Sequence, residues 1–423
     1  MSIIYFLYFI FSPIIFIILI GSSLFNKKIN EHLRKQKKTI EKVLEKNLKN
    51  PIIIHAASAG EFEQIKPLLG NRKKIITPII QTFFSPAIYN KEKDSMLFDA
   101  CCYHPFDFPW TAYLFFKKIR PSKYIINRHD IWPHHIFFAK KFNVKIIYIN
   151  ANLKSDSLRL KFIFKGFHKW LFKQIDTIIV PSNEIKNRFI KNFGIENILT
   201  YQDTRLKQIQ NRIDKSKRIA GLVESLSDKK TIILGSVDNK DWEVILESIK
   251  TTKLNNFNLI IVPHEVDNPF IEQMIRDIKD LKLAVNRFTD IESPNNWDDS
   301  LHVDIHDRLD CIIYDKVGDL LDLYKYGNLA YIGCGFSSGV HNVVEPALQG
   351  CYVAYGPNIE LLDEAIKLKE QKLSKIIYNS EDFSDFTNIS NTKFLEENRD
   401  RVFDLLKIKN EDFEKIKNTI YET

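Results

Sequence analysis

Glycine is scarce in this chain, 14 in 423 residues. None of it falls into a Walker A or GxGxxG fingerprint, so neither familiar glycine signature explains a phosphate site. Cysteine is also sparse: Cys101, Cys102, Cys311, Cys334 and Cys351. They form no CxxC pair and no His/Cys cluster at zinc spacing, and an odd count does not suit a disulfide framework. Reduced thiols in a cytoplasmic compartment are the simplest reading, and no metal site is indicated. There is no repeat at solenoid period and no low-complexity tract. No Lys or Arg precedes the first apolar run, which argues against a secretory signal peptide. The abundance of Ile, Lys, Asn and Phe matches the drift of a nucleotide-biased genome and carries no functional weight.

The remaining composition, 44% apolar and 27% charged, belongs to a chain that folds, and its length favours two domains. A net charge of +8 suits nucleic acid, anionic lipid or a phosphorylated substrate without choosing among them. The basic residues gather behind the first apolar run and the aromatics show no stacking pattern, so nucleic acid is set aside as a partner.

That run, Ile3 to Ile20, is uncharged and interrupted by Ser12 and Pro13. About 18 to 20 apolar residues suffice to cross a bilayer as a helix. Lys27, Lys28, Arg34, Lys35, Lys37 and Lys38 follow, and the positive-inside rule keeps them in the cytoplasm. The expectation is an anchor over 1–25, single-pass or monotopic. Between Asn26 and Asn50 apolar residues recur at helical spacing among basic ones. Such a helix can lie on anionic lipid or pack on the first domain, and the pattern does not separate the two.

Beyond it, short β-branched runs alternate with helical stretches: PIIIHA (51–56), 74–80, 124–127, 144–150 and 177–181, then TIILGS (231–236), NLIIVP (258–263), 311–314, 329–333 and 352–356. This alternation predicts parallel sheets covered by helices. The expected organisation is an N-terminal Rossmann-like domain over 26–206, a polar linker over 207–230 and a second α/β domain over 231–423. A cleft is expected between the domains, with ligands beyond the carboxyl ends of the strands.

Two stretches there carry candidate chemistry. In the first, His55-Ala56-Ala57-Ser58-Ala59-Gly60-Glu61, Gly60 permits a tight turn and Glu61 opens a helix. An ionised carboxylate at a cleft mouth can take a proton from an attacking hydroxyl. A first-turn Glu also caps its helix, and the local pattern alone favours that plainer role. The second stretch, Gly333 to Ala347, leaves a strand through Gly333, Gly335 and Gly339 and enters a helix near His341 or Asn342. Its backbone N–H groups can hold a phosphate, and Glu345, about one turn in, can accept from ribose hydroxyls. Ser236 and His264 end neighbouring strands and would face the same cleft.

Taken in order, HAASAGEFEQIKPLL (55–69), TFFSPA (82–87), HPFDFP (104–109), DIWPH (130–134), NANLKSDS (150–157), DTR (203–205), GDLLDLY (318–324), GVHNVVEPALQG (339–350) and GPN (356–358) resemble the 3-deoxy-D-manno-octulosonic acid (Kdo) transferases. The resemblance implies a GT-B glycosyltransferase of two Rossmann-like domains. It implies a CMP-Kdo donor held mainly by the second domain and a lipid A precursor as acceptor at the inner membrane. It implies no bound metal and no cofactor. Glu61 would be the general base and Glu345 the nucleotide contact, with Ser236, His264, Gly333, Gly335, Gly339, His341 and Asn342 on the donor side. Ser58, Gly60, Thr82, Ser85, Arg128 and Asp130 would position the acceptor. The chain departs from the family where Arg128 takes the place of an acid, Asn152 that of an Arg, and Gln202 that of a Gly. Those changes put acceptor details in doubt. They leave open a GT-B enzyme using a UDP- or GDP-sugar, and a membrane-tethered binding protein without catalysis.

Overall fold

The computed structural model describes residues 2–70, 76–219, 222, 229–251, 257–292, 311–360, 362–389, 391–407 and 409–422. The chain divides into two compact units: Met1–Gln208 with Ile408–Thr423, and Ile209–Lys407. The expected second domain, 231–423, therefore runs too far. The helix Asn410–Tyr421 belongs to the first unit, where the Lys123 ammonium donates to the Ile420 carbonyl at 2.8 Å and the Tyr421 hydroxyl to that of Leu68 at 3.1 Å. The expected linker, 207–230, opens inside the helix Thr204–Ile213, and its residues 220, 221 and 223–228 lie outside those described.

In the first unit, β1 (Ile52–Ala56), β2 (Ile79–Phe83), β3 (Ala100–Tyr103), β4 (Lys123–Asn127), β5 (Lys145–Ile149), β6 (Thr177–Val180) and β7 (Ile198–Thr200) form an all-parallel sheet in the order β3-β2-β1-β4-β5-β6-β7. β1, β2 and β4 are buried along their whole length, and their polar members His55, Gln81, Thr82, Lys123 and Asn127 are buried with the isoleucines. The second unit repeats the plan with β8 (Lys230–Val237), β9 (Phe257–Pro263), β10 (Val285–Arg287), β11 (Cys311–Ile313), β12 (Leu329–Ile332), β13 (Tyr352–Tyr355) and β14 (Ser374–Ile376), ordered β10-β11-β9-β8-β12-β13-β14. The expected strand over 74–80 lies at Ile79–Phe83, and residues 74 and 75 are outside those described. In each sheet the chain reverses its direction of growth beside the first strand, between β1 and β4 and between β8 and β12. Doubly wound folds open their ligand crevices at such points, beyond the strands' carboxyl ends.

Helix α1 (Ile3–Ser23) is long and apolar enough to cross a membrane, and 11% of its most apolar window is buried. Phe9, Ile10, Ile14, Ile17 and Ile18 are exposed. One face packs on the first unit: Tyr5 lies 4.7 Å from Trp170, and the Tyr8 hydroxyl donates to an Asp107 carboxylate oxygen at 3.1 Å. Asp107 also accepts the backbone N–H groups of His134 and His135, at 3.3 and 3.0 Å, capping the helix Pro133–Lys141. Against the cost of burial, hydrogen bonds from these two histidines hold its carboxyl well below the usual range. The HPFDFP segment thus fastens α1 to the domain. Helix α2 (Lys27–Glu45) is capped by Asn26 and packs Val43 into the first core, while the His32 ring bonds the Phe84 and His104 carbonyls at 2.9 and 2.8 Å. The domain-packing alternative for this amphipathic helix is therefore realised.

Candidate active site

β1 delivers the chain into Ala57 and Ser58, and helix α3 (Ala59–Leu69) begins at once. Ser58 is its N-cap, accepting the Glu61 N–H at 3.4 Å. The Glu61 side chain turns back so that Oε2 accepts the Ala57 N–H at 2.6 Å. One carboxylate oxygen thus fulfils the capping role, while Oε1 has no hydrogen-bond partner among the described residues. Glu61 is only 6% exposed. Burial, with the Asp130 charge nearby, raises its pKa against the Ala57 and Ser58 contacts and the electrostatic pull of His55. A carboxylate with one oxygen fixed, one free and raised basicity is suited to accept a proton.

Gly60 does not serve the tight turn expected of it. It lies in the first turn of α3, and a Cβ there would meet nothing within 4 Å. The missing side chain leaves open space beside the helix start.

Thr82, Ser85 and Asp130 gather at this point, with His55 at their centre. Buried completely, its Nδ1 pairs with the Thr82 hydroxyl at 3.0 Å and its Nε2 with the Asp130 carboxylate at 3.3 Å. Ser85 donates its backbone N–H to the Ala57 carbonyl at 2.9 Å. Sequence reasoning passed over His55 as a site residue, although its place as the last apolar-strand polar residue before the loop was visible. Arg128 has a left-handed backbone, φ 58°, and its guanidinium lies 3.6 Å from the Asp203 carboxylate. The motif around Asn150 is structural: its amide donates to Asn127 at 2.7 Å and to Thr204 at 2.8 Å. Asn127 in turn donates to the Glu61 carbonyl at 3.0 Å. This buried amide chain fixes the start of α3 against the ends of β4 and β5.

In the second unit, the loop after β12 is packed too closely for side chains. A Cβ on Gly333 would stand 2.1 Å from the Ser236 carbonyl oxygen, and one on Gly335 2.4 Å from the Gly356 nitrogen. Gly339, at φ 109°, needs glycine for its backbone. Ser236 also takes a left-handed backbone, φ 58°, at an irregularity between β8 and β9. The helix expected from His341 or Asn342 begins later, at Val344, and ends at Leu348. The reason is Asn342, whose side chain accepts the Val344 N–H at 3.0 Å and holds the chain in a turn. Glu345 is consequently the second helical residue and not one turn in. Its Oε1 accepts from the Arg212 guanidinium at 2.7 Å, a partner the sequence did not suggest. His264 and His341 stack with ring centroids 4.8 Å apart.

Asp241 was also missed. It is wholly buried and accepts from the Tyr331 hydroxyl at 2.7 Å, the Cys334 N–H at 2.6 Å and the Asp238 N–H at 3.1 Å. Burial pushes its pKa up to about 6 against these bonds. Asp238 accepts the Asp241 N–H at 3.0 Å and the Ser337 hydroxyl. The Asp-x-x-Asp spacing after TIILGS is a helix-start signal that would have found both.

Residues 27–208 match the family model described as 3-deoxy-D-manno-octulosonic-acid transferase (kdotransferase). A 3-deoxy-D-manno-octulosonic acid transferase of Aquifex aeolicus is 28% identical over 331 residues, 77% of this chain and 82% of its own. The chain is similar to the Kdo transferases over most of its length. Kdo-transferase relatives are glycosyltransferases, and the fold agrees. A glycosyltransferase from Rickettsia africae superposes with a TM-score of 0.55 at 13% identity, covering 89% of this chain and 99% of its own. A UDP-N-acetylglucosamine 2-epimerase homologue from Listeria monocytogenes gives 0.58 at 12%, covering 89% and 98%. Identities this low speak to the GT-B architecture alone.

Proposed function

We propose that this protein moves Kdo from CMP-Kdo to the phosphorylated, acylated precursor of lipid A, with Glu61 as general base and inversion at the anomeric carbon. The observation that carries the reading is the Glu61 carboxylate itself: buried, raised in basicity, tied at one oxygen and free at the other. As the acceptor's primary hydroxyl oxygen attacks the anomeric carbon, its proton passes to Glu61. The bond from that carbon to the CMP phosphate breaks, and CMP leaves with the electron pair. His55, held between Thr82 and Asp130, keeps the Asp130 carboxylate in place beside the base. Open space at Gly60 leaves room for an acceptor to approach the helix start.

On the donor side, the amides of the Gly333–Gly339 loop are proposed to take the phosphate, with His264, His341 and Glu345 around the nucleotide and sugar. Arg212 orients Glu345 so that one of its oxygens is already engaged. At the membrane, the exposed apolar face of α1 would enter the inner leaflet of the inner membrane, with the catalytic units cytoplasmic. A cavity of about 500 Å³ where α1 meets α2 is lined by Ser23, Leu24, Asn30, Lys27, Arg34 and the Lys35–Glu31 ion pair, and its excess of two basic residues would suit an anionic headgroup.

The test is a transfer assay with detergent-solubilised full chain, CMP-Kdo and tetraacylated lipid A precursor, read by product mass and anomeric NMR. The expected result is a mass gain of one or more Kdo units with inverted configuration, and none from UDP- or GDP-sugars. Transfer from a UDP-sugar, or binding of CMP-Kdo without transfer, would overturn the reading.

A further inference from the structure

Three loops of the second unit bring together side chains that are far apart in the sequence. His264 follows β9 directly, Cys334 lies two residues past β12, and His341 precedes the helix Val344–Leu348. Their ligating atoms, one imidazole nitrogen from each histidine and the Cys334 sulfur, all lie within 4.8 Å of one another. Cys334 is 1% exposed and forms the floor of a cup whose walls are the two exposed, stacked imidazoles.

The backbone of the three loops is held in place, and the Cys334 thiol itself donates to the Ser236 carbonyl at 3.6 Å, a contact that a metal–thiolate bond would replace. The His264 N–H donates to the Val237 carbonyl at 2.8 Å. The Cys334 N–H donates to Asp241, and the Cys334 carbonyl accepts the Gly339 N–H at 2.9 Å. Next to His341, the Val340 N–H donates to the Asn358 carbonyl at 3.0 Å. Cys334 also keeps a left-handed backbone, φ 63°, in which a residue with a Cβ is uncommon. Strain of this kind persists where the surroundings hold it, and it gathers at functional positions.

Two imidazole nitrogens and one sulfur are a borderline-soft donor set, suited to zinc and its neighbours and not to magnesium or calcium. A harder alternative lies next to it, since Asp238 and Asp241 approach the same sulfur. Asp241, however, already spends both oxygens, Oδ1 on Tyr331 and Oδ2 on Cys334 and Asp238. That carboxylate braces the loop and has little left for a cation. Three protein ligands with a solvent-facing opening leave a fourth position for water or an anion.

We propose that His264, Cys334 and His341 form a binding site for a thiophilic divalent cation such as Zn²⁺. Binding releases the Cys334 thiol proton to solvent, forms the metal–thiolate bond and ties the three loops together. The site shares His264 and His341 with the proposed donor contacts, and its test reads the metal directly, whichever sugar nucleotide the enzyme uses.

Cobalt(II) titrated into the metal-stripped full chain tests it optically, with Zn²⁺ as competitor. The expected result is a thiolate-to-cobalt charge-transfer band saturating at about one equivalent, as one three-ligand site requires, and bleached by Zn²⁺. Cys334→Gly should abolish the band, and His264→Ala or His341→Ala should weaken cobalt affinity by at least ~10-fold. Cys101→Ser should leave it unchanged, a control chosen because Cys101 is half-buried while the other four cysteines are buried. Circular dichroism of each variant separates loss of the site from loss of the fold. A missing band in the folded wild type, a band that survives Cys334→Gly, or one that disappears with Cys101 would overturn the proposal.

Discussion

The two sheets place a buried carboxylate at the same topological position and use it differently. Glu61 follows β1 and Asp241 follows β8, each beside the point where its sheet reverses direction, and burial raises both. Asp241 is bound at both oxygens by three donors from three segments. Glu61 has one oxygen bound and the other free. A raised carboxylate pKa therefore marks burial, which structural and reactive groups share. The unpaired oxygen is what separates them: Asp241 braces its loop, and the proposal that Glu61 is the base rests on that free oxygen.

The largest expected effect is on Glu61. Glu61→Gln should lower the steady-state transfer rate by about 10²–10⁴-fold, the usual worth of a positioned base, with CMP binding by calorimetry unchanged. A variant within about tenfold of wild type would erase the contrast with Asp241. For Asp241→Ala the loss should be structural. It leaves the Tyr331 hydroxyl and Cys334 N–H buried without an acceptor, at about 1–3 kcal/mol per group. Chemical denaturation should show this in the second unit, along with weakened nucleotide binding. Gly333→Ala should weaken nucleotide binding as well, because its Cβ would meet the Ser236 carbonyl at 2.1 Å.

Smaller and of opposite sign is the effect of Glu61 on stability. Its folded pKa is raised, so the folded state holds the proton more tightly than the unfolded chain. The stability this contributes is present below the unfolded Glu value, about 4.3, and is lost as pH rises through the folded pKa. Glu61→Gln should therefore be more stable than wild type at pH 7, with the gap closing toward pH 4 in parallel thermal melts. No gap at pH 7 would mean that the Ala57 contact outweighs burial. The smallest effect belongs to Arg128, a partly exposed ion-pair partner of Asp203. Arg128→Ala should cost no more than about 1 kcal/mol in stability. If Arg128 positions the acceptor, KM for the acceptor should rise while kcat holds.

Much of this was legible in the sequence where burial leaves a continuous signal. β1, β4, β5, β6, β8, β9 and β12 read as apolar β-branched runs because both faces of a parallel sheet are covered. The edge strands β7, β10 and β14 have three residues each and too little pattern to register, while the edge strand β3, ACCY, lacks β-branched residues. Glu61, Ser58, Thr82 and Asp130 were named as candidates from their motifs. His55, Asp241, Arg212 and the Cys334 cluster were not, because their partners come from distant segments that only the fold brings together. The same reason hid the return of the helix Asn410–Tyr421 to the first unit.

The central claim, that Glu61 takes the acceptor proton, is tested most directly by single-turnover transfer at saturating CMP-Kdo and lipid acceptor across pH. The account predicts a wild-type rate that rises with pH, with its midpoint above the ordinary glutamate pKa, and a Glu61→Gln rate that is low and flat through the same range. A variant that keeps the wild-type profile would contradict it and place the base elsewhere.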